Sequence, residues 1–199
     1  MSDCGCHFEA HDDEQRQVLR TLLAINGAMF VVELVVGLIA QSSGVMADSL
    51  DMLADALVYG VGLYAVGRSA AIKRGAARWS GMFQIALAGG IFADVARKAY
   101  FGSEPHSVLM MVIAAVALVA NAYCLRLLQR HRDGEVHMRA SWIFSRSDVI
   151  ANAGVILAGL LVWWTGSRWP DLVVGSAIAA VVVRGGVEIL RDAARDDCG

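Results

Sequence analysis

The chain has 199 residues, of which 57% are hydrophobic and 18% charged, and its mean hydropathy is +0.53. Soluble domains carry about 25% charged residues, so disorder is excluded and an ordinary soluble enzyme is disfavoured. A formal net charge of −2 gives no reason to expect nucleic acid as a partner.

Residues 1–17 read MSDCGCHFEAHDDEQRQ. They are acidic and polar, without the basic start and early apolar run of a secretory signal, which predicts a retained cytoplasmic tail. Six apolar runs of membrane-spanning length follow, at about Val18–Ala40, Ser43–Val66, Trp79–Ala96, Val108–Leu128, Ser141–Trp163 and Leu172–Ile189. Runs this long in lipid satisfy their backbone only as helices. The expected architecture is therefore an all-α membrane protein, a six-transmembrane-helix bundle over residues 18–191, with a short cytoplasmic tail at 192–199.

Basic residues set the orientation. With the N-terminus inside, the cytoplasmic segments hold Arg16, Arg20, Arg68, Lys73, Arg74, Arg78, Arg126, Arg130, Arg132, Arg139, Arg191 and Arg195. The outer loops hold Arg97, Lys98 and Arg168. This asymmetry predicts both termini in the cytoplasm and, for a bacterial chain, residence in the inner (plasma) membrane. Arg146 and Arg184 fall inside segments, near enough to their cytoplasmic ends to snorkel. Trp163, Trp164 and Trp169 read as an interfacial aromatic belt.

Several charges fall where lipid should forbid them. Asp48, Asp51 and Asp55 lie in the second run, Glu33 in the first, Asp94 in the third and Asp148 in the fifth. A charge at the bilayer centre costs about 2.5–3.5 kcal/mol on insertion scales, which makes such residues functional candidates. At 100° per residue the three aspartates of the second run point along about 0°, 300° and 340°, one helix face. Asp148 and Asn152 are four apart and also share a face. Counted at 1.5 Å per residue from the cytoplasmic edge, Asp55 lies about 18 Å deep, Asp51 about 24 Å and Asp148 about 14 Å. Carboxylates from two antiparallel helices thus converge near mid-membrane, and an oxygen-rich dry site suits a divalent cation.

The other polar residues divide. Asp94 beside Arg97 and Lys98 reads as a local ion pair, and Asn121 as packing glue between helices. Glu33 with Asn26, seven apart on one face, is either helix–helix glue or the lining of a pathway. Asp48 is either a further ligand or an outer-vestibule charge. The Cys4-Gly-Cys6-His7 cluster, followed by His11, either captures soft metal ions or is an incidental tail, since it lacks Cys-x-x-Cys spacing. His131 and His137 read as solvated loop residues. The four cysteines, Cys4, Cys6, Cys124 and Cys198, form no disulfide framework. With no intramembrane nucleophile–base pair, an enzyme is not expected.

The segments GVMADSLDMLADALVYG and MRASWIFSRSDVIANAGVILAG, with PDLVVGSAIAA opening the sixth run, resemble the cation diffusion facilitator family of divalent-metal exporters. The resemblance covers about Val18–Arg191. It implies six helices, cytoplasmic termini and a metal site built from two residues four apart on each of the second and fifth helices. Carried over, these are Asp51 and Asp55, with Asp148 as the second member of the other pair. Phe144 stands where the family usually has His or Asp, so a fourth ligand would come from Asp48, Ser145, Asn152 or water, or be absent altogether. The family's cytoplasmic C-terminal domain has no counterpart in the residues after Ile189, which leaves dimerisation to transmembrane faces.

The implied activity is efflux of a divalent metal ion in exchange for protons, with the metal as cargo and no permanently bound cofactor. Zn²⁺ comes first from the family and Mn²⁺ or Fe²⁺ from the all-oxygen donor set, with Co²⁺ and Cd²⁺ behind. The expected partners are divalent metal ions, protons, the lipid bilayer and a second copy of the chain. Metal uptake through the same acidic site, and a non-transporting membrane scaffold, are the competing readings.

Overall fold

The computed structural model describes residues 6–65, 70–129 and 136–195, with side chains from residue 16 onward apart from 62, 64, 65, 70–74, 76, 77, 136–146, 192, 193 and 195. They form six helices: α1 (Cys6–Ile39), α2 (Ser43–Ala65), α3 (Ala70–Phe101), α4 (Ser107–Gln129), α5 (Val136–Thr165) and α6 (Trp169–Arg195). All six expected helices are present. Five of them, α1 and α3–α6, are long and apolar enough to cross a membrane. α2 has 23 residues, about 35 Å at 1.5 Å per residue, and carries three aspartates.

The helices run further than the apolar runs from which they were predicted. α1 begins at Cys6 rather than Val18, α3 starts at Ala70 and continues to Phe101, and α5 starts at Val136. Ala, Arg, Lys and Glu are good helix formers, so the charged segments AAIKRGAAR and RKAYF extend their helices instead of forming loops.

Helices are laid against one another in sequence-adjacent and crossing pairs. α1 packs along α2, α4 along α5, and α3 along α6, while α2 also touches α3, α4, α5 and α6. The helix that carries Asp48, Asp51 and Asp55 is therefore the central one. Close crossings are made by glycine: a Cβ on Gly175 of α6 would lie 2.7 Å from the Ser43 carbonyl carbon, and one on Gly186 would lie 2.9 Å from the Gly81 carbonyl oxygen.

The α1–α2, α3–α4 and α5–α6 connections share one end of the bundle, the loop end. Three helices stop there on a left-handed residue: Gln41 (φ 52°), Gly102 (φ 94°) and Gly166 (φ 62°). Gly102 N donates to Lys98 O at 2.9 Å and Gly166 N to Val162 O at 2.9 Å, the α-turn closure that a left-handed C-terminal cap provides. The hairpin turns are tied together where His106 N donates to Ala40 O at 3.0 Å.

The main core runs through Met29, Val45, Leu50, Met52, Ile91, Met110, Ile113, Val155, Val162 and Ile178. A smaller cluster at the opposite end joins Leu19, Leu22, Tyr59, Cys124 and Leu128. Outward faces are apolar, including Val31, Val35, Leu38, Val112, Val116, Val119, Leu157 and Leu160. Tyr100, Phe101, Trp163, Trp164 and Trp169 are exposed around the loop end, which fits the aromatic belt expected at a membrane interface.

Candidate metal centre

α2 carries its acids on the side it turns toward the rest of the bundle. Asp48 and Asp55 are 2% and 6% exposed, and Asp51 is half-buried. Asp148 on α5 is buried, and its carboxyl lies within hydrogen-bonding reach of those of both Asp51 and Asp55. The expected convergence of the second and fifth helices is what the fold contains. Among the described residues no three or more His, Cys, Asp or Glu are grouped closely enough to hold a metal ion as they stand; the three carboxyls meet pairwise, through Asp148.

The neighbours of this trio differ in character. Tyr59, one turn after Asp55 and itself buried, donates its hydroxyl to Asp55 Oδ2 at 3.0 Å. Asn152 is buried one turn after Asp148 and donates Nδ2 to the Asp148 backbone carbonyl at 2.7 Å. Its Oδ1 has no hydrogen-bond partner and remains an oxygen donor beside the centre. Gln84 of α3 is buried and reaches the Ala54 carbonyl at 3.4 Å. The side chains of Phe144 and Ser145 lie outside the described residues, as do those of Cys6, His7, His11, His137 and Arg146, and the whole of Cys4 and His131.

Asp51 opens onto two spaces. One, of about 250 Å³, lies between α2, α5 and α6 and is lined by Ser147, Ala151, Val174 and Ile178 among others. The other, about 40 Å³, is lined by Asp55, Gln84, Val181 and Gly185. Either exceeds the room that one water requires, so the half-buried Asp51 carboxylate borders space that can hold water.

A second polar assembly, which the sequence reading did not foresee, fixes α2. Ser42 caps the helix by accepting from Val45 N at 3.1 Å, the N-cap-to-N3 bond. Asp171 of α6 takes the donors that remain. Its Oδ1 accepts from Ser42 Oγ at 2.6 Å and Gly44 N at 2.9 Å, and its Oδ2 from Ser43 N at 2.7 Å. Lys98, 2% exposed, pairs with Asp94 at 2.7 Å and donates to Ser43 Oγ at 3.1 Å. Arg97 completes the Asp94 pair at 2.9 Å, so the local ion pair expected at Asp94 is present. Lys98, however, is not a loop charge but the buried cation of the loop end. Arg184 is exposed and pairs with Glu188 at 3.1 Å.

A helical bundle with apolar outward faces, spanning-length helices and buried carboxylates defines an integral membrane protein. Residues 19–196 match the cation efflux transmembrane domain, and the chain belongs to that family, one of membrane transporters rather than enzymes. It is similar to the metal cation efflux system protein CzcD of Cupriavidus metallidurans, 27% identical over 88% of this chain and 58% of the relative. It is 25% identical to the zinc transporter ZitB of Escherichia coli over 98% of this chain and 67% of the relative. The cadmium, cobalt and zinc/H(+)-K(+) antiporter of Bacillus velezensis is 22% identical over 94% of this chain and 64% of the relative. The chain thus spans about three fifths of CzcD's length; with its spanning-length apolar helices and bacterial efflux relatives, it is an integral inner-membrane protein.

Proposed function

We propose that the chain is a carrier that moves a divalent metal ion out of the cytoplasm in exchange for protons, with Asp51, Asp55 and Asp148 as ligands and Asp48 and Asn152 beside them. The observation that carries this reading is the meeting of Asp148 on α5 with Asp51 and Asp55 on α2 inside the bundle. Carboxylates that meet pairwise inside the bundle, Asp148 with Asp51 and with Asp55, repel one another and need positive charge between them. A divalent cation supplies it, and when the cation leaves, protons do.

The exchange follows from that requirement. Ligand carboxylates bind metal only when deprotonated, so loading the ion displaces protons and unloading it recaptures them. A bundle whose central helix turns the site alternately to each side would therefore couple the two flows. The relatives, a metal cation efflux system protein and a zinc transporter among them, favour Zn²⁺ in the outward direction. The all-oxygen donor set also admits Mn²⁺, Fe²⁺, Co²⁺ and Cd²⁺. Cytoplasmic termini and a homodimer formed through transmembrane faces complete the proposal.

The test is metal flux into proteoliposomes of the purified chain under an imposed pH gradient, across a panel of these five ions. Gradient-dependent flux that disappears in Asp148→Asn, with the variant still inserted, supports the carrier. Flux that survives in an Asp51→Asn/Asp148→Asn double variant sinks the assigned site.

A further inference from the structure

Glu33 of α1 is fully buried, and neither of its carboxyl oxygens has a hydrogen-bond partner. Its strongest charged neighbour is Asp48 of α2, followed by Asp51. Asp48 is 2% exposed, and its Oδ1 is likewise without a partner. Other carboxylates of the bundle are served differently: buried Asp171 accepts three donors, part-buried Asp94 pairs with two cations, and buried Asp55 accepts the Tyr59 hydroxyl. A buried charge without partners is strongly unfavourable, so the pair requires something the protein does not itself supply.

We propose that Glu33 and Asp48 hold a second divalent cation, a transit site on the loop-end side of the Asp51–Asp55–Asp148 centre. Asp48 is three residues, about 4.5 Å along the axis, from Asp51 toward the start of α2. An ion passing from the Asp51 centre toward the loop end meets this pair next. Two carboxylates match the charge of a divalent ion, and oxygen ligands select hard cations of the Mn²⁺ or Mg²⁺ kind.

Other occupants fit less well. A single shared proton would make one O–H···O bond, using one oxygen of each carboxyl, and would leave the second Glu33 oxygen unpartnered. Glue between helices requires a hydrogen bond that Glu33 does not make. Lys98, the buried cation among the described residues, is already bound by Asp94 and Ser43. The transit role rests on the carrier reading above; the existence of the site does not.

The experiment counts bound Mn²⁺ on the full chain in nanodiscs, from the depletion of the free-ion electron paramagnetic resonance signal. The variants are Glu33→Gln, the charge-retaining Glu33→Asp, and Asp148→Asn, each checked for an unchanged melting profile. The expected wild-type value is about two ions per chain, falling to about one in Glu33→Gln and staying near two in Glu33→Asp with weaker affinity. Asp148→Asn should lose the other ion and keep the one at Glu33. A wild-type count near one that Glu33→Gln leaves unchanged overturns the second site while the carrier reading stands. A count near two that persists in Glu33→Gln overturns it as well. No bound Mn²⁺ at all also rejects it, and the flux assay then decides the carrier separately.

Discussion

Asp171→Ala should loosen α2 more than any exposed substitution at the same end of the bundle. The side chain accepts from Ser42 Oγ, Ser43 N and Gly44 N at 2.6, 2.7 and 2.9 Å. Hydrogen bonds to a charged group contribute about 1.5–3 kcal/mol each, and the orphaned buried donors add their own desolvation cost. These do not sum, because the three donors share one acceptor group. Removal of one partner from a buried charged assembly costs about 3–5 kcal/mol, and that is the expected loss. Asp171→Asn keeps one acceptor oxygen but turns an NH₂ toward an N–H donor, which should cost about 2 kcal/mol. The assay is amide hydrogen exchange at Gly44 and Val45 in detergent, alongside thermal unfolding. At tenfold per 1.4 kcal/mol, Asp171→Ala should speed exchange at these amides at least about 100-fold. Glu188→Ala, which breaks only the exposed pair with Arg184, should change stability by about 0.5 kcal/mol or less. An Asp171→Ala variant that matches Glu188→Ala in both readouts would refute the capping argument.

Tyr59→Phe removes the hydroxyl that orients Asp55; metal affinity measured by competition with a chelating dye should fall about 10–100-fold, the usual effect of losing a ligand's supporting hydrogen bond. Gly175→Ala places a methyl 2.7 Å from the Ser43 backbone and should destabilise by about 1–3 kcal/mol in a denaturation series. Gly154→Ala, whose nearest neighbour would be 3.8 Å away, should be tolerated in the same series. Lys98→Met leaves Asp94 and Asp171 without their buried cation and should cost about 3–5 kcal/mol, with part of the loss recovered when Asp94→Asn is added. Since carboxylate ligands must be deprotonated to bind metal, affinity should weaken steadily on acidification. Affinity that is flat between pH 8 and pH 5 would show that the ligands are not these acids.

Much of the architecture could be read directly from the chain. Long apolar runs specify spanning helices because lipid leaves the backbone no alternative. The three-residue and four-residue spacing of Asp48, Asp51 and Asp55 places them on one face whatever surrounds them. Depth counting then brought Asp148 to within about 4 Å of the level of Asp55, and the structure holds the Asp148 carboxyl within reach of those of Asp51 and Asp55. Helix ends were read too short, because Ala70–Arg78 and Arg97–Phe101 are helical without being apolar.

Pairings between distant helices were the part that spacing could not supply. Asp171 sits in the first turn of α6, where an acid ordinarily answers its own helix dipole; here it caps α2, 128 residues away from Ser43. Lys98 has the sequence surroundings of a loop cation and becomes buried because α2 begins directly beside it. The facing of Glu33 and Asp48 depends on the register of α1 against α2, which a one-dimensional pattern does not contain.

X-ray absorption of the Zn²⁺-loaded chain addresses the metal centre most directly. The expected spectrum has an oxygen shell at about 2.0–2.2 Å, without the outer-shell scattering of imidazole, and it should be lost in Asp148→Asn. A sulfur shell at about 2.3 Å that persists in Asp148→Asn would contradict a site made of Asp51, Asp55 and Asp148 and move the metal to cysteine.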